Sequence, residues 1–496
     1  MPSSKRRRNF TKRSLTGCRT CRARHIRCDE ALGSCNNCTS TGRKCDGYDL
    51  SRLPATRRVA LTAYSGIDTR LSWLTTPDEM RCFSYFTHCS IPSLASYFDF
   101  PLWRKLTMQI SHVDRAVYHA ATMLGAVHED SDLNKMRLAG ENLRLPRHRF
   151  AFEQASRAFA ILNKRKASQD PQLREVVLIC CLLFIVSDLL LGRYDHAFQH
   201  LRSGLRILGE IDPRQLRAQH GALVDSGLVR VFERLDIESS HFGQGSPTLC
   251  SYDELEERLD QLYVMRNLHE VHDRVALQIN MGVPFLAKCW VLSEVEIQAD
   301  YEDLHRKQQR LLCANYKSKQ QIEILTQQSY HQLTSKEHRS MDLLLLQCVG
   351  QILALKTCLK DGPAPTHVIP EHVELLTIYG RIMSKFPDRP TITLDFGVIP
   401  CLYVVASQCP QYSVRIRAID ALLSWPHCEG LVNSNLAASV ALEGLKAELR
   451  DKDERTLLCV NRHADADLQR YLRDTLQSSM HDTSFWPMRP VKNIQQ

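Results

Sequence analysis

Six cysteines near the amino terminus repeat one spacing: Cys18, Cys21 and Cys28, then Cys35, Cys38 and Cys45, each set reading Cys-x2-Cys-x6-Cys. Thiols at such intervals belong either to a disulfide framework or to a metal centre. Disulfide frameworks belong to secreted chains, and residues 1–20 contain no apolar run of the kind that directs export. The metal reading remains. Structural zinc takes four ligands in a closed tetrahedron, with sulfur at about 2.3 Å. Six cysteines close one such site with two left over, or two sites if two thiolates are shared. The equal spacing of the copies favours the second, so a binuclear cluster is expected, with two Zn2+ per chain and all six cysteines as ligands.

Six thiolates around two divalent ions leave a formal charge of about −2, so a cluster that approaches DNA needs cationic neighbours. They are present. Arg19, Arg22, Arg24, His25 and Arg27 lie within the first copy, Arg43 and Lys44 precede the last cysteine, and Lys5, Arg6, Arg7, Arg8, Lys12 and Arg13 come before the cluster. Residues 1–45 carry a net charge of +10 against +9 for the whole chain, so the remainder is close to neutral. This asymmetry predicts a nucleic-acid partner for the first segment alone. The basic run at 1–13 reads as an arm that serves as a nuclear import signal, a phosphate contact or both.

The stretches GCRTCRARHIRCDE and CNNCTSTGRKCDGY resemble the DNA-binding domain of the fungal zinc binuclear cluster transcription factors. The resemblance rests on the six cysteines, the basic stretch between the second and third, and the Cys28–Asp29 pair. It implies that Cys18 and Cys35 bridge the two zinc ions, and that a short helix follows each Cys-x2-Cys, the first lying in the major groove over a CGG-type triplet. It also implies that Arg24 and His25 reach the bases, while Arg19, Arg22, Arg27, Arg43 and Lys44 are expected on phosphates. Where His25 stands the family usually has Lys, a strong donor to guanine, and the proline common in the loop between the halves is absent from 29–34. A zinc module that contacts protein as a coregulator, without reading bases, is the alternative.

The chain divides accordingly into a basic arm at 1–13, the cluster domain at 14–48, a linker at 49–78, a helical body at 79–480 and a tail at 481–496. Leu50, Leu53, Val59, Leu61, Tyr64, Ile67 and Leu71 in the linker keep no heptad register, so a coiled-coil dimer through it is not expected. Monomer and homodimer both stay open. In the body, apolar residues recur at helical intervals over 115–129 and 150–162. Val176 to Val186 form an unbroken apolar run of 11 residues, short of the roughly 20 a membrane span needs, and Asp188 follows, so a buried core helix is predicted. Further buried helices are expected at 343–355 and 398–406, and no run of alternating strand residues stands out. The fold expected is mainly α, with a small N-terminal binuclear zinc cluster domain joined by a linker to a large all-helical regulatory domain. No membrane partner is expected.

The body is similar to the family's regulatory region in three places: Met80 to Trp103, residues 192–208, and Trp425 to Leu431. That region, by resemblance, contacts transcriptional coregulators. Catalytic motifs are missing from it. His269-Glu270-Val271-His272 has its second histidine one residue too close for the His-Glu-x-x-His of zinc proteases, and no Gly-rich phosphate loop or nucleophile elbow occurs. Thirteen cysteines lie beyond the cluster and are expected as small core residues. Together these readings predict a nuclear, zinc-dependent, sequence-specific DNA-binding regulator of RNA polymerase II transcription, and no enzyme.

Overall fold

The computed structural model describes residues 17–26, 28–29, 35–43 and 45 of the cysteine-rich segment. It also describes residues 73–451, except 99–100, 135, 137–142, 169, 171, 213–223, 243–246, 250–251, 261–263, 330, 360–364 and 387–388. The basic arm, most of the linker, the tail and Arg27 and Lys44 lie outside the described residues.

Two short helices, α1 (Arg19–Ala23) and α2 (Asn36–Thr39), follow the two Cys-x2-Cys pairs. The body is helical: α3 (Pro77–Tyr85), α4 (Ile91–Leu94), α5 (Met108–Val113), α6 (Arg115–Asn134), α7 (Pro146–Lys164), α8 (Leu173–Leu190), α9 (Tyr194–Gly209), α10 (Ser226–Ser239), α11 (Tyr252–Asp260), α12 (Leu268–Val291), α13 (Glu294–Ala299), α14 (Tyr301–Ser329), α15 (Ser335–Thr357), α16 (Ile369–Ser384), α17 (Ile399–Gln408), α18 (Tyr412–Ser424) and α19 (Ser434–Asp451). Several starts are written into the sequence. Thr76 with Glu79, Ser293 with Glu296 and Thr334 with Glu337 form reciprocal capping boxes at α3, α13 and α15, each satisfying backbone N–H groups that the first turn cannot.

Three groups of helices follow from the pairings. α6 packs on α3, α7 and α8, and α8 on α9; α15 packs on α12, α14, α16 and α17; and α17, α18 and α19 pack on one another, with α10 touching both α9 and α12. Their apolar faces merge into one core running from Cys82 to Leu445. α8 is buried on every side from Leu178 to Leu190, which is why its apolar residues form a run and not a stripe. No helix among the described residues is long and apolar enough to cross a membrane.

One element escaped the sequence reading. Three strands of two residues each, β1 (Ile392–Thr393), β2 (Cys428–Glu429) and β3 (Val432–Asn433), form a small sheet in the order β1-β2-β3, parallel then antiparallel. Two residues are too few to show alternation. The sheet sits at the Trp425–Leu431 stretch and serves one carboxylate. Glu429 is buried and accepts hydrogen bonds from the Tyr97 hydroxyl (2.9 Å), from the Val398 and Ile399 backbone N–H groups (2.9 and 2.8 Å) and from His427 Nε2 (2.9 Å). It thereby caps α17. The other ring nitrogen of His427 faces the Trp425 carbonyl at 2.6 Å, so the ring is held at both nitrogens. Beside it, Gly430 turns at φ 53°, and a side chain there would strike the Glu238 carboxyl.

Candidate zinc cluster and nucleic-acid interface

The two halves of the cysteine repeat fold as copies. In the first, the Cys18 sulfur accepts a hydrogen bond from the Cys21 N–H at 3.3 Å and so caps α1. The helix closes with Ile26 N–H on the Cys21 carbonyl and His25 N–H on the Arg22 carbonyl, both 3.1 Å. In the second, Arg43 N–H meets the Cys38 carbonyl at 2.9 Å and Gly42 N–H the Thr39 carbonyl at 3.0 Å. Both are Schellman closures, which place one residue in the left-handed region. His25 has φ 55° and Gly42 φ 65°. Asp29 ties the halves together by accepting from the Asn36 N–H at 3.0 Å. Against its partial burial, this bond and others from the start of α2 hold its carboxyl below the usual range.

The turns bring the sulfurs inward. Two groups of four, Cys18, Cys21, Cys28 and Cys35, and Cys18, Cys35, Cys38 and Cys45, each gather within 4.8 Å. Cys18 and Cys35 belong to both groups. Their sulfurs lie 3.6 Å apart, with Cys18–Cys38 at 3.9 Å and Cys21–Cys35 at 3.5 Å. Ligands at about 2.3 Å in a tetrahedron stand ~3.8 Å from one another, so these spacings fit zinc. Every sulfur except that of Cys45, which is half-buried, belongs to a buried side chain. Burial pushes the thiols of Cys18, Cys21 and Cys35 up, whereas against its own desolvation the hydrogen bonds from Cys35, Cys18 and Cys21 hold Cys38 below the ordinary thiol value; full ionisation of the nest calls for a cation. Among the described residues, these are the only groups of three or more side chains gathered to hold a metal. The His269–His272 stretch instead opens α12, with both histidines directed at Asp273 (3.1 and 3.5 Å).

Around the sulfurs, Arg19, His25 and Arg43 are exposed and Arg22 and Arg24 half-buried. Arg24 has a role that the sequence did not announce: its Nη1 reaches the Asn37 carbonyl and the Thr41 hydroxyl, each at 3.4 Å, so it spans from the first half to the second. His25, carried on a left-handed turn at the end of α1, is exposed. The basic-arm residues Lys5, Arg6, Arg7, Arg8, Lys12 and Arg13 are outside the described residues.

Comparison with known proteins agrees with this geometry. Residues 16–54 match the fungal Zn(2)-Cys(6) binuclear cluster domain. The chain therefore carries a zinc-binding cluster domain of that family, followed by a large helical body. It is similar to the aspercryptin biosynthesis cluster-specific transcription regulator atnN of Emericella nidulans, 28% identical over 48% of this chain and 41% of that protein. It is also similar to the transcription regulator lscL of Purpureocillium lilacinum, 26% identical over 42% of this chain and 55% of that protein. White-opaque regulator 2 of Candida albicans is 48% identical over 11% of this chain and 12% of its own length. The chain thus spans about half or less of the length of these relatives. No solved structure matches it.

Proposed function

We propose that this protein is a nuclear, sequence-specific DNA-binding transcription factor that regulates RNA polymerase II transcription, with its base-reading surface built on a cluster of two zinc ions. The observation that carries the reading is the sharing of Cys18 and Cys35 between two groups of four sulfurs. Two bridging and four terminal thiolates close two tetrahedra without a free ligand position, the mark of a structural centre. Zinc supplies a cross-link there and no reaction. The relatives named as transcription regulators support the same reading.

Sequence would be read from α1. Exposed Arg19 and Arg43, with Arg22, Arg27 and Lys44, contact phosphates and position the domain, which carries no sequence information by itself. His25 donates to a base edge of a CGG-type triplet, and Arg24 reaches the neighbouring base while bracing the second half. The arm at 1–13 adds phosphate contacts and directs nuclear import, and the helical body, 79–480, receives transcriptional coregulators.

Selection of bound duplexes from a randomised DNA pool by the zinc-loaded full chain tests this. Enrichment of CGG-type triplets is expected, and one triplet or two at fixed spacing separates monomer from dimer. Intact zinc with no enrichment would instead favour a protein-binding cluster.

A further inference from the structure

The outer side of α14 carries a groove of about 490 Å³, a size typical of small-molecule sites. Tyr301, His305, Leu312 and Tyr316 line it from one face of the helix, and Lys356 with Leu359 line it from the end of α15. On its inner side α14 buries Leu304, Leu311 and Ile322 in the ordinary way. Tyr301 and Tyr316 are instead 44% and 45% exposed, so the groove offers two open aromatic faces, which gain most from a flat partner.

The polar groups of the groove are fixed in direction. Gln308 is buried, its Nε2 2.6 Å from the Leu355 carbonyl and its Oε1 3.1 Å from His305 Nδ1. A carbonyl only accepts, so the amide nitrogen is the atom turned to Leu355, and Oε1 must receive the proton of Nδ1. Neutral His305 therefore carries its proton on Nδ1 and keeps a bare lone pair on Nε2, for which the described residues provide no partner. Tyr301 stacks on the same ring, centroids 5.4 Å apart and planes 7° from parallel. At Tyr316 the chemistry reverses. Lys356 Nζ lies 5.7 Å from the centre of that ring and 2.5 Å from Glu371 Oε1; an ammonium has three donors, so donors are left over for an acceptor in the groove. An acceptor with one tyrosine and a donor with the other, along an apolar wall of Leu312 and Leu359, describe a ligand.

We propose that this groove binds an elongated, flat aromatic compound with an O–H or N–H donor at one end and an acceptor oxygen at the other. The donor meets His305 Nε2, the acceptor meets Lys356 Nζ, and the rings lie against Tyr301 and Tyr316. The site belongs to the body alone, so it stands whether or not the cluster reads DNA.

Cys313 provides the test: it lines the groove and is the one exposed cysteine among the described residues. The full-length, zinc-loaded chain is treated with iodoacetamide with and without apigenin, a flat trihydroxyflavone, and alkylation is followed by peptide mass spectrometry. At ten times its Kd, apigenin should slow alkylation of Cys313 about tenfold, while half-buried Cys89, which does not line the groove, reacts as before. Unsubstituted flavone, which lacks the donors, should protect far less. His305→Phe keeps a ring for Tyr301 to stack on but removes the lone pair, and Lys356→Met removes the donors; each should weaken apigenin binding about tenfold by calorimetry. An unchanged Cys313 rate in the wild-type chain at saturating apigenin would overturn the proposal without relying on any variant's folding. Equal protection by flavone, or equal affinity in His305→Phe, would overturn the assigned recognition.

Discussion

His25 and Gly42 occupy the same position in the two halves of the cysteine repeat, each at a left-handed φ, 55° and 65°, where the chain closes a short helix. Glycine takes that conformation freely, whereas a residue with a side chain pays about 1–2 kcal/mol to hold it, histidine being among the more tolerant. The first half thus keeps a side chain at a strained position that the second half leaves bare, which separates its surface role from its structural one. His25→Gly should therefore leave zinc retention against a chelator equal or better while weakening DNA binding. Gly42→Val should do the reverse, lowering zinc retention by about 1–2 kcal/mol. Equal DNA affinity for His25→Gly and wild type would remove His25 from the base-reading surface.

Removal of a shared sulfur should differ from removal of a terminal one. Cys35→Ala opens both groups of four, and Cys45→Ala only one. Native mass spectrometry should find no zinc on the first variant and at most one ion on the second. Two ions retained by Cys35→Ala would exclude the bridging assignment.

Asp29 links the halves through the Asn36 N–H. Asp29→Ala removes an acceptor at a helix start, a loss of ~1 kcal/mol, so thermal unfolding of the zinc-loaded cluster domain should shift downward with both ions still bound. An unchanged transition would make that hydrogen bond incidental.

Stability of the body should fall as pH rises through the neutral range. Burial, reinforced by Glu429 and Asp395 and opposed by the Leu431 N–H and Arg234, pushes the Glu238 carboxyl up to about 8. The folded chain therefore keeps a proton that the unfolded chain releases near the ordinary carboxyl value of about 4.3. The stability contributed by that proton is complete below about pH 4, declines between there and 8, and is gone above 8. Glu238→Gln should flatten this slope, seen as a smaller drop in melting temperature between pH 6 and 9. An identical slope in the variant would place the titration elsewhere.

Glu429→Ala should be among the most damaging substitutions in the body, at about 3–5 kcal/mol, because it strands a buried hydroxyl, two backbone N–H groups and the His427 ring. Tyr97→Phe removes one donor and should cost ~1 kcal/mol. Chemical denaturation measures both, and a Glu429→Ala loss no larger than that of Tyr97→Phe would contradict the hub.

The cluster was legible because its information is local: six cysteines at fixed intervals carry their ligand set on the line. The helices at 115–134, 146–164, 173–190 and 335–357 were legible for a related reason, since periodicity or an unbroken apolar run survives whatever the partner is. Pairings made across the fold were not legible. Nothing beside Arg24 indicates that its guanidinium reaches Asn37 and Thr41. Trp425 to Leu431 stood out only by resemblance; that Glu429 gathers Tyr97 and the start of α17 depends on close approach of segments far apart in the chain. The left-handed turn at Gly42 carried a signal in the glycine itself, whereas its counterpart at His25 carried none.

Tyr97 precedes Glu429 by 332 positions and Glu238 precedes Leu431 by 193, so the body's central polar junction closes only after nearly all of it has been synthesised. Chains growing from the ribosome hold their early helices without that keystone until the 392–433 stretch emerges, and closing so long a loop is slow. A chain cut short before the 428–433 stretch would then lose the contacts that hold Tyr97 and Glu238 as well as its last helices, so the damage would reach back to the first part of the body.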